Sequence, residues 1–169
     1  DALNSNGTIA ITGGEISIAT GDDAVHADES VTISGGTVTI TRSYEGIESA
    51  LITVKAGTVR IVSSDDGINV VGAAGGGGFG GRGSQAFGVA ANQKLVIAGG
   101  YVAVDALGDG IDINGSVSMS GGTLVINGPT SNGNGALDYD GTFDMTGGLV
   151  IAAGSAGMAQ APSEGSKQY

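Results

Sequence analysis

A glycine pair, or Ala-Gly in one case, returns along this chain, each time followed by four residues of alternating character. Gly13-Gly14 precedes Glu15-Ile16-Ser17-Ile18, Gly35-Gly36 precedes Thr37-Val38-Thr39-Ile40, and Ala56-Gly57 precedes Thr58-Val59-Arg60-Ile61. Gly99-Gly100, Gly121-Gly122 and Gly147-Gly148 open the same pattern at Tyr101, Thr123 and Leu149. The second glycine of each pair falls at 14, 36, 57, 100, 122 and 148. A second alternation stands just before each pair, as in Ile9/Ile11, Val31/Ile33, Ile52/Val54, Leu95/Ile97, Val117/Met119 and Phe143/Met145. Strict alternation over four residues is a strand signal, and no helical period competes with it. A fixed period of this length marks a repeat architecture, in which one repeat cannot bury its apolar side alone and stacking supplies the core. The spacing therefore predicts an all-β chain, a right-handed parallel β-helix of about six rungs of 21–22 residues, spanning 1–153. Its rungs would lie about 4.8 Å apart and give a body roughly 30 Å long.

Two interruptions fit this reading. The long interval between Gly57 and Gly100 contains one rung plus a glycine-dense insertion over 71–92, in which Phe79, Arg82 and Phe87 are the large side chains and hence candidates for contact with a partner chain. The interval from Gly122 to Gly148 carries a few extra residues near Pro129. Residues 154–169 read as a tail with no amphipathic helical pattern to close the last rung. An uncovered terminal rung is an unpaired strand edge, so end-to-end stacking of copies into a filament is a second expectation.

Composition narrows the core and the partners. Aromatic residues are 4% of the chain and Trp is absent, so Ile, Val, Leu and Ala must fill the interior. With 17 Asp+Glu against 6 Lys+Arg the formal charge is −11. That balance excludes a basic footprint for nucleic acid and disfavours an anionic membrane surface. No apolar run approaches the length of a membrane span. Cysteine is absent, so disulfides and thiolate metal sites play no part.

The acids are not scattered. After the second strand of each rung comes an acid, a small residue, an aliphatic residue and a polar one: Asp1-Ala2-Leu3-Asn4, Asp23-Ala24-Val25-His26, Glu45-Gly46-Ile47-Glu48, Asp66-Gly67-Ile68-Asn69 and Asp109-Gly110-Ile111-Asp112. Gly135-Ala136-Leu137-Asp138 is the sixth copy. Stacked in register, these form one column of Asp1, Asp23, Glu45, Asp66 and Asp109, and another of Asn4, His26, Glu48, Asn69, Asp112 and Asp138. Asp22, Asp28, Asp65, Asn114 and Asp140 add oxygens nearby. Two unit charges about 5 Å apart repel by roughly 3 kcal/mol at an effective dielectric near 20, so such columns need a counterion or must keep protons. An all-oxygen donor set suits calcium better than zinc or copper. Solvated turn residues that only keep the chain soluble are the plainer alternative. His26, the single histidine, reads as a surface member of its column.

The run from Gly21 to Val70, with its Asp22-Asp23-Ala24-Val25-His26-Ala27-Asp28, Ser43-Tyr44-Glu45-Gly46-Ile47-Glu48 and Ser64-Asp65-Asp66-Gly67-Ile68-Asn69 blocks, resembles the carbohydrate-binding, polysaccharide-lyase-like β-helix family first known from cellulolytic clostridia. The resemblance implies a right-handed parallel β-helix, bound calcium, a secreted or cell-surface location, and binding of acidic, pectin-like plant polysaccharide without lyase activity. By motif it implies Asp22, Asp23, Asp28, Glu45, Glu48, Asp65, Asp66 and Asn69 as calcium ligands, to which the columns add Asp109 and Asp112.

An anionic chain would hold an anionic glycan through bridging cations, and aromatic platforms commonly assist. Tyr44 and Tyr139 stand beside the acidic motif, as does Arg42, and these three are the candidate sugar contacts. Catalysis is not expected. The Asp65-Asp66 pair resembles the acids of polygalacturonase-like β-helices, but the accompanying His-Gly and Arg-x-Lys elements are missing. The outward row Ser17, Thr39, Arg60, Ala103, Val125, Ile151 is no threonine ladder, which excludes ice binding.

Overall fold

The computed structural model describes residues 1–72 and 92–166. Phe79, Arg82 and Phe87 lie outside the described residues, as does most of the glycine-dense stretch. Fourteen strands follow one another: β1 (Leu3–Ser5), β2 (Thr8–Ile11), β3 (Glu15–Ala19), β4 (Val25–Ala27), β5 (Ser30–Arg42), β6 (Ile47–Ser49), β7 (Leu51–Ser63), β8 (Ile68–Val70), β9 (Lys94–Ile97), β10 (Tyr101–Ala106), β11 (Ile111–Ile113), β12 (Ser116–Asn127), β13 (Leu137–Tyr139) and β14 (Phe143–Ala153). Among the described residues there is no helix.

The strands build a parallel β-solenoid of six turns. Each turn gives one three-residue strand to a sheet ordered β1-β4-β6-β8-β11-β13. The remainder of each turn belongs to a larger parallel sheet, in which β9 and β10 both stack on β7 and β12 stacks on them in turn. Register is kept across the long sequence interval: Val59 pairs with Val102, and Val102 with Leu124.

The alternation decides which atoms are inside. Val25, Ile47, Ile68 and Ile111 stand above one another with no exposed surface, and Leu137 follows at 2%. On the larger sheet Val31, Ile52, Leu95, Val117 and Phe143 do the same. The interior is a set of columns that are aliphatic apart from Met119, Met145 and Phe143 in the last two turns, as the shortage of aromatics requires. The bend at each glycine pair has its own steric reason. Gly36 holds φ at 84°, and a Cβ there would meet the backbone of Gly13 and Gly14 at 2.7 Å. Only a residue without a side chain satisfies both conditions.

The last turn departs from the sequence expectation. Its edge is covered without any helix over Phe143–Met145, where serines supply hydrogen bonds that a further strand would have made, while Leu149–Ala153 stays largely exposed. Ser163 donates its N–H to Phe143 O at 3.0 Å, and its Oγ accepts from Phe143 N–H at 2.8 Å. Ser166 Oγ accepts from Met145 N–H at 3.1 Å and donates to Phe143 O at 2.9 Å. Tyr139 Oη donates to Ala161 O at 2.6 Å. A motif built from isolated serines and a proline has no periodicity, so pattern reading passes over it.

Candidate metal-binding acidic edge

The two acidic columns form as the repeat requires. In the six-stranded sheet Asn4 pairs with His26, His26 with Glu48, Glu48 with Asn69, Asn69 with Asp112, and Asp112 with Asp138. The first column is fixed by backbone bonds on either side: Ala24 N–H donates to Glu45 O, Gly46 N–H to Asp66 O and Gly67 N–H to Asp109 O, at 2.9–3.0 Å. The small residue between acid and aliphatic is a spatial necessity. A Cβ on Gly67 would run into the Val104 side chain and would stand 2.6 Å from Gly110 O.

The carboxylates of the first column have a second task that spacing alone did not reveal. Asp23 Oδ1 accepts Glu45 N–H at 3.2 Å, Asp66 Oδ1 accepts Asp109 N–H at 2.7 Å, and Asp109 Oδ1 accepts Gly135 N–H at 2.5 Å. These three acids thus satisfy the turn amide of the next rung, whereas Glu45 and Asp1 accept from the side chains of Asn69 and Asn4. The column ends at Gly135 because that position has an N–H to give and no carboxylate to pass on.

Three trios each bring one ligand atom per residue within 4.8 Å of the others: Asp1, Asp23 and His26; Asp23, Glu45 and Glu48; Asp66, Asp109 and Asp112. These contain six of the ten expected metal ligands. Asn69 joins through Glu45, whose Oε2 accepts from its Nδ2 at 2.9 Å, while Asn69 Oδ1 is buried and has no hydrogen-bond partner. Asp28 lies 3.4 Å from His26 Nε2, and Glu48 lies 3.8 Å from the same atom. Those residues and Asn69 line a recess of about 300 Å³ that ends at Val71 and Gly72. Asp22 is exposed and faces the α-amino group at 2.7 Å, which lowers its pKa. Asp65 faces Tyr44 and lifts the phenol to about 12.

Electrostatics mark the interior of the columns as strained for anions. Burial, then the neighbouring carboxylates, pushes Asp112 up to about 7. Burial is also the main cause at Asp66, raised to about 6 even though it accepts the Asp109 amide. Burial followed by Glu48 raises Glu45 far above the ordinary carboxylate range. Asp23, Asp109 and Asp138 are raised for the same first reason. A row of desolvated acids, with an orphaned amide oxygen among them, requires protons or a hard cation. The donors are oxygen throughout, apart from His26, a set that could hold a hard metal ion.

Of the expected sugar contacts, Tyr44 is 49% exposed and Arg42 is exposed. Tyr139 is tied down. Its ring meets Phe143 edge-on at 6.0 Å and its hydroxyl holds the tail, so it serves packing at the last turn.

A family model described as "Carbohydrate-binding domain-containing protein" matches residues 1–78, the stretch that holds Asp23, Glu45, Glu48, Asp66 and Asn69. No curated protein and no solved structure matches the chain.

Proposed function

We propose that this chain is a non-catalytic, extracellular or cell-surface carbohydrate-binding β-solenoid that uses calcium at its acidic edge and takes acidic, pectin-like polysaccharide. The observation that carries the reading is the in-register stack of desolvated carboxylates around the orphaned Asn69 Oδ1. The carbohydrate-binding family model over residues 1–78 supports the ligand class. Asp66, Asp109 and Asp112 would hold one ion, and Asp23, Glu45 and Glu48 another, with Asn69 between them. Calcium supplies there the positive charge that offsets mutual repulsion and that an anionic glycan can share. Tyr44 and Arg42 border that edge.

The same geometry speaks against acid–base work by Asp65 and Asp66. One Asp66 oxygen is committed to the Asp109 amide, and Asp65 faces the Tyr44 hydroxyl. A second reading is end-to-end assembly, for which the exposed Leu149–Ala153 edge of β14 stays open, although a copy stacking on Phe143–Met145 would have to displace the tail. The test is retention on a polygalacturonate gel. Retention should weaken in excess chelator; retention unchanged by chelator would refute calcium at the edge, and equal elution with and without immobilised glycan would refute the ligand class.

A further inference from the structure

We infer that the flat outer face of the larger sheet, around Arg60 and Tyr101, is a platform on which an acidic polysaccharide lies, with its uronate carboxylates taken directly by Arg60. This rests on the carbohydrate-binding reading above but places the sugar rings away from the acidic edge.

The register makes the face continuous. Ser17, Thr39, Arg60, Ala103, Val125 and Ile151 stand in one row across six turns. A neighbouring row runs Val62, Asp105, Asn127. Between them lies a shallow trough of about 420 Å³, lined by Val62, Ala103 and Val125 together with Thr39, Thr41, Asn127 and one acid, Asp105. Apolar ground edged by hydroxyl and amide groups matches a pyranose, which presents C–H faces and an equatorial rim of hydroxyls. Val62 is 46% exposed, a large value for an aliphatic residue whose inward neighbours Ile61 and Ser63 are sealed. Rungs repeat at about 4.8 Å, close to the length of one sugar unit, so a glycan along the solenoid axis meets comparable ground at each turn.

Charge selects an acidic glycan over a neutral one. The Arg60 guanidinium rests over the Tyr101 ring, 5.1 Å from its centroid, which fixes a long side chain without consuming its hydrogen-bond donors. Among the described residues the ion pairs involve only the α-amino group and His26, so Arg60 has no carboxylate partner there. The nearby acid, Asp105, accepts from Asn127 Nδ2 at 3.3 Å. In a chain of net charge −11, an unpaired arginine held rigid on an apolar floor is the feature that an anionic ligand would recognise.

The experiment measures affinity for polygalacturonate by isothermal titration calorimetry, on wild type, Arg60→Gln, Arg60→Glu and Asp112→Asn, with melting curves as the folding control. Arg60 is exposed, so its variants should melt with the wild type and keep their response to calcium. Arg60→Gln should weaken binding about tenfold, and Arg60→Glu more, with calcium present. Wild-type affinity in Arg60→Glu would overturn the platform while leaving calcium-dependent binding at the acidic edge intact. Failure of the wild type itself to bind would overturn both. A dimer in sedimentation that Arg60→Glu dissolves, with glycan binding unchanged, would instead assign the face to a second copy and end the proposal.

Discussion

Asp112→Asn should change sign with the medium. Asp112 is partly buried beside Asp66, Asp109 and Asp138, and its pKa is pushed up to about 7. In the unfolded chain the same group ionises near the ordinary aspartate value of about 3.9. A carboxylate whose folded pKa is raised binds its proton more tightly in the native state. Stability is therefore highest below the unfolded value and falls as pH rises through the folded one. Three pH units at about 1.4 kcal/mol each give an upper bound of roughly 4 kcal/mol lost by pH 8, and partial solvation brings this to about 2–4. Asparagine mimics the protonated acid. In excess chelator at pH 8 the variant should melt higher than wild type, by roughly 5–15 °C at about 2–4 °C per kcal/mol for a chain of this size. At pH 5 wild-type Asp112 keeps its proton in the folded state but mostly loses it on unfolding, so the gain should shrink to about a third, and it should vanish only below about pH 3. In millimolar calcium the order should reverse, because the variant loses a charged ligand. Scanning calorimetry across these conditions decides the matter. A variant equally destabilised at pH 5 and pH 8 in chelator would refute the electrostatic reasoning and make Asp112 a structural hydrogen-bonding residue.

Other expectations concern the scaffold. Asp66→Ala should lower stability by about 1–3 kcal/mol in chelator in urea titrations, since it strands the Asp109 amide, and by more in calcium, where an ion ligand is lost as well. Gly36→Ala combines a left-handed φ with backbone contacts at 2.7 Å, so it should cost more than about 2 kcal/mol and shift the urea midpoint accordingly. Ser166→Ala removes two bonds to the last turn and should raise proteolytic cleavage of the tail with a loss of about 1 kcal/mol. If that loss frees the β14 edge, light scattering should show association that grows with concentration.

Much of this molecule was legible in the repeat. Glycine pairs at fixed spacing give the turn count, and alternation gives the inward columns from Val25 through Ile111 without reference to any fold library. The acidic columns follow from the same register, since once Val25, Ile47 and Ile68 stack, their polar neighbours must stack as well. What stayed hidden has a common physical cause. Hydrogen bonds from Asp23, Asp66 and Asp109 to the next rung depend on side-chain rotamers, which periodicity does not encode. The serine closure of the last turn rests on single residues with no repeat partner. Tyr139 lay beside the acidic motif in sequence, yet its ring is drawn to Phe143 and its hydroxyl to the tail. Arg60 was visible as an outward residue, but its partnership with Tyr101 needed the stacking of two turns separated by a long stretch of chain.

The most direct test of the acidic edge is calcium titration by calorimetry near pH 7, repeated in buffers of different ionisation enthalpy. Desolvated acids that share protons must release them when a cation enters. The expected result is at least one ion bound per chain at millimolar calcium or below, with proton release that is reduced in Asp112→Asn. Absence of calcium uptake, or uptake without any proton release and unaffected by Asp112→Asn, would contradict the account.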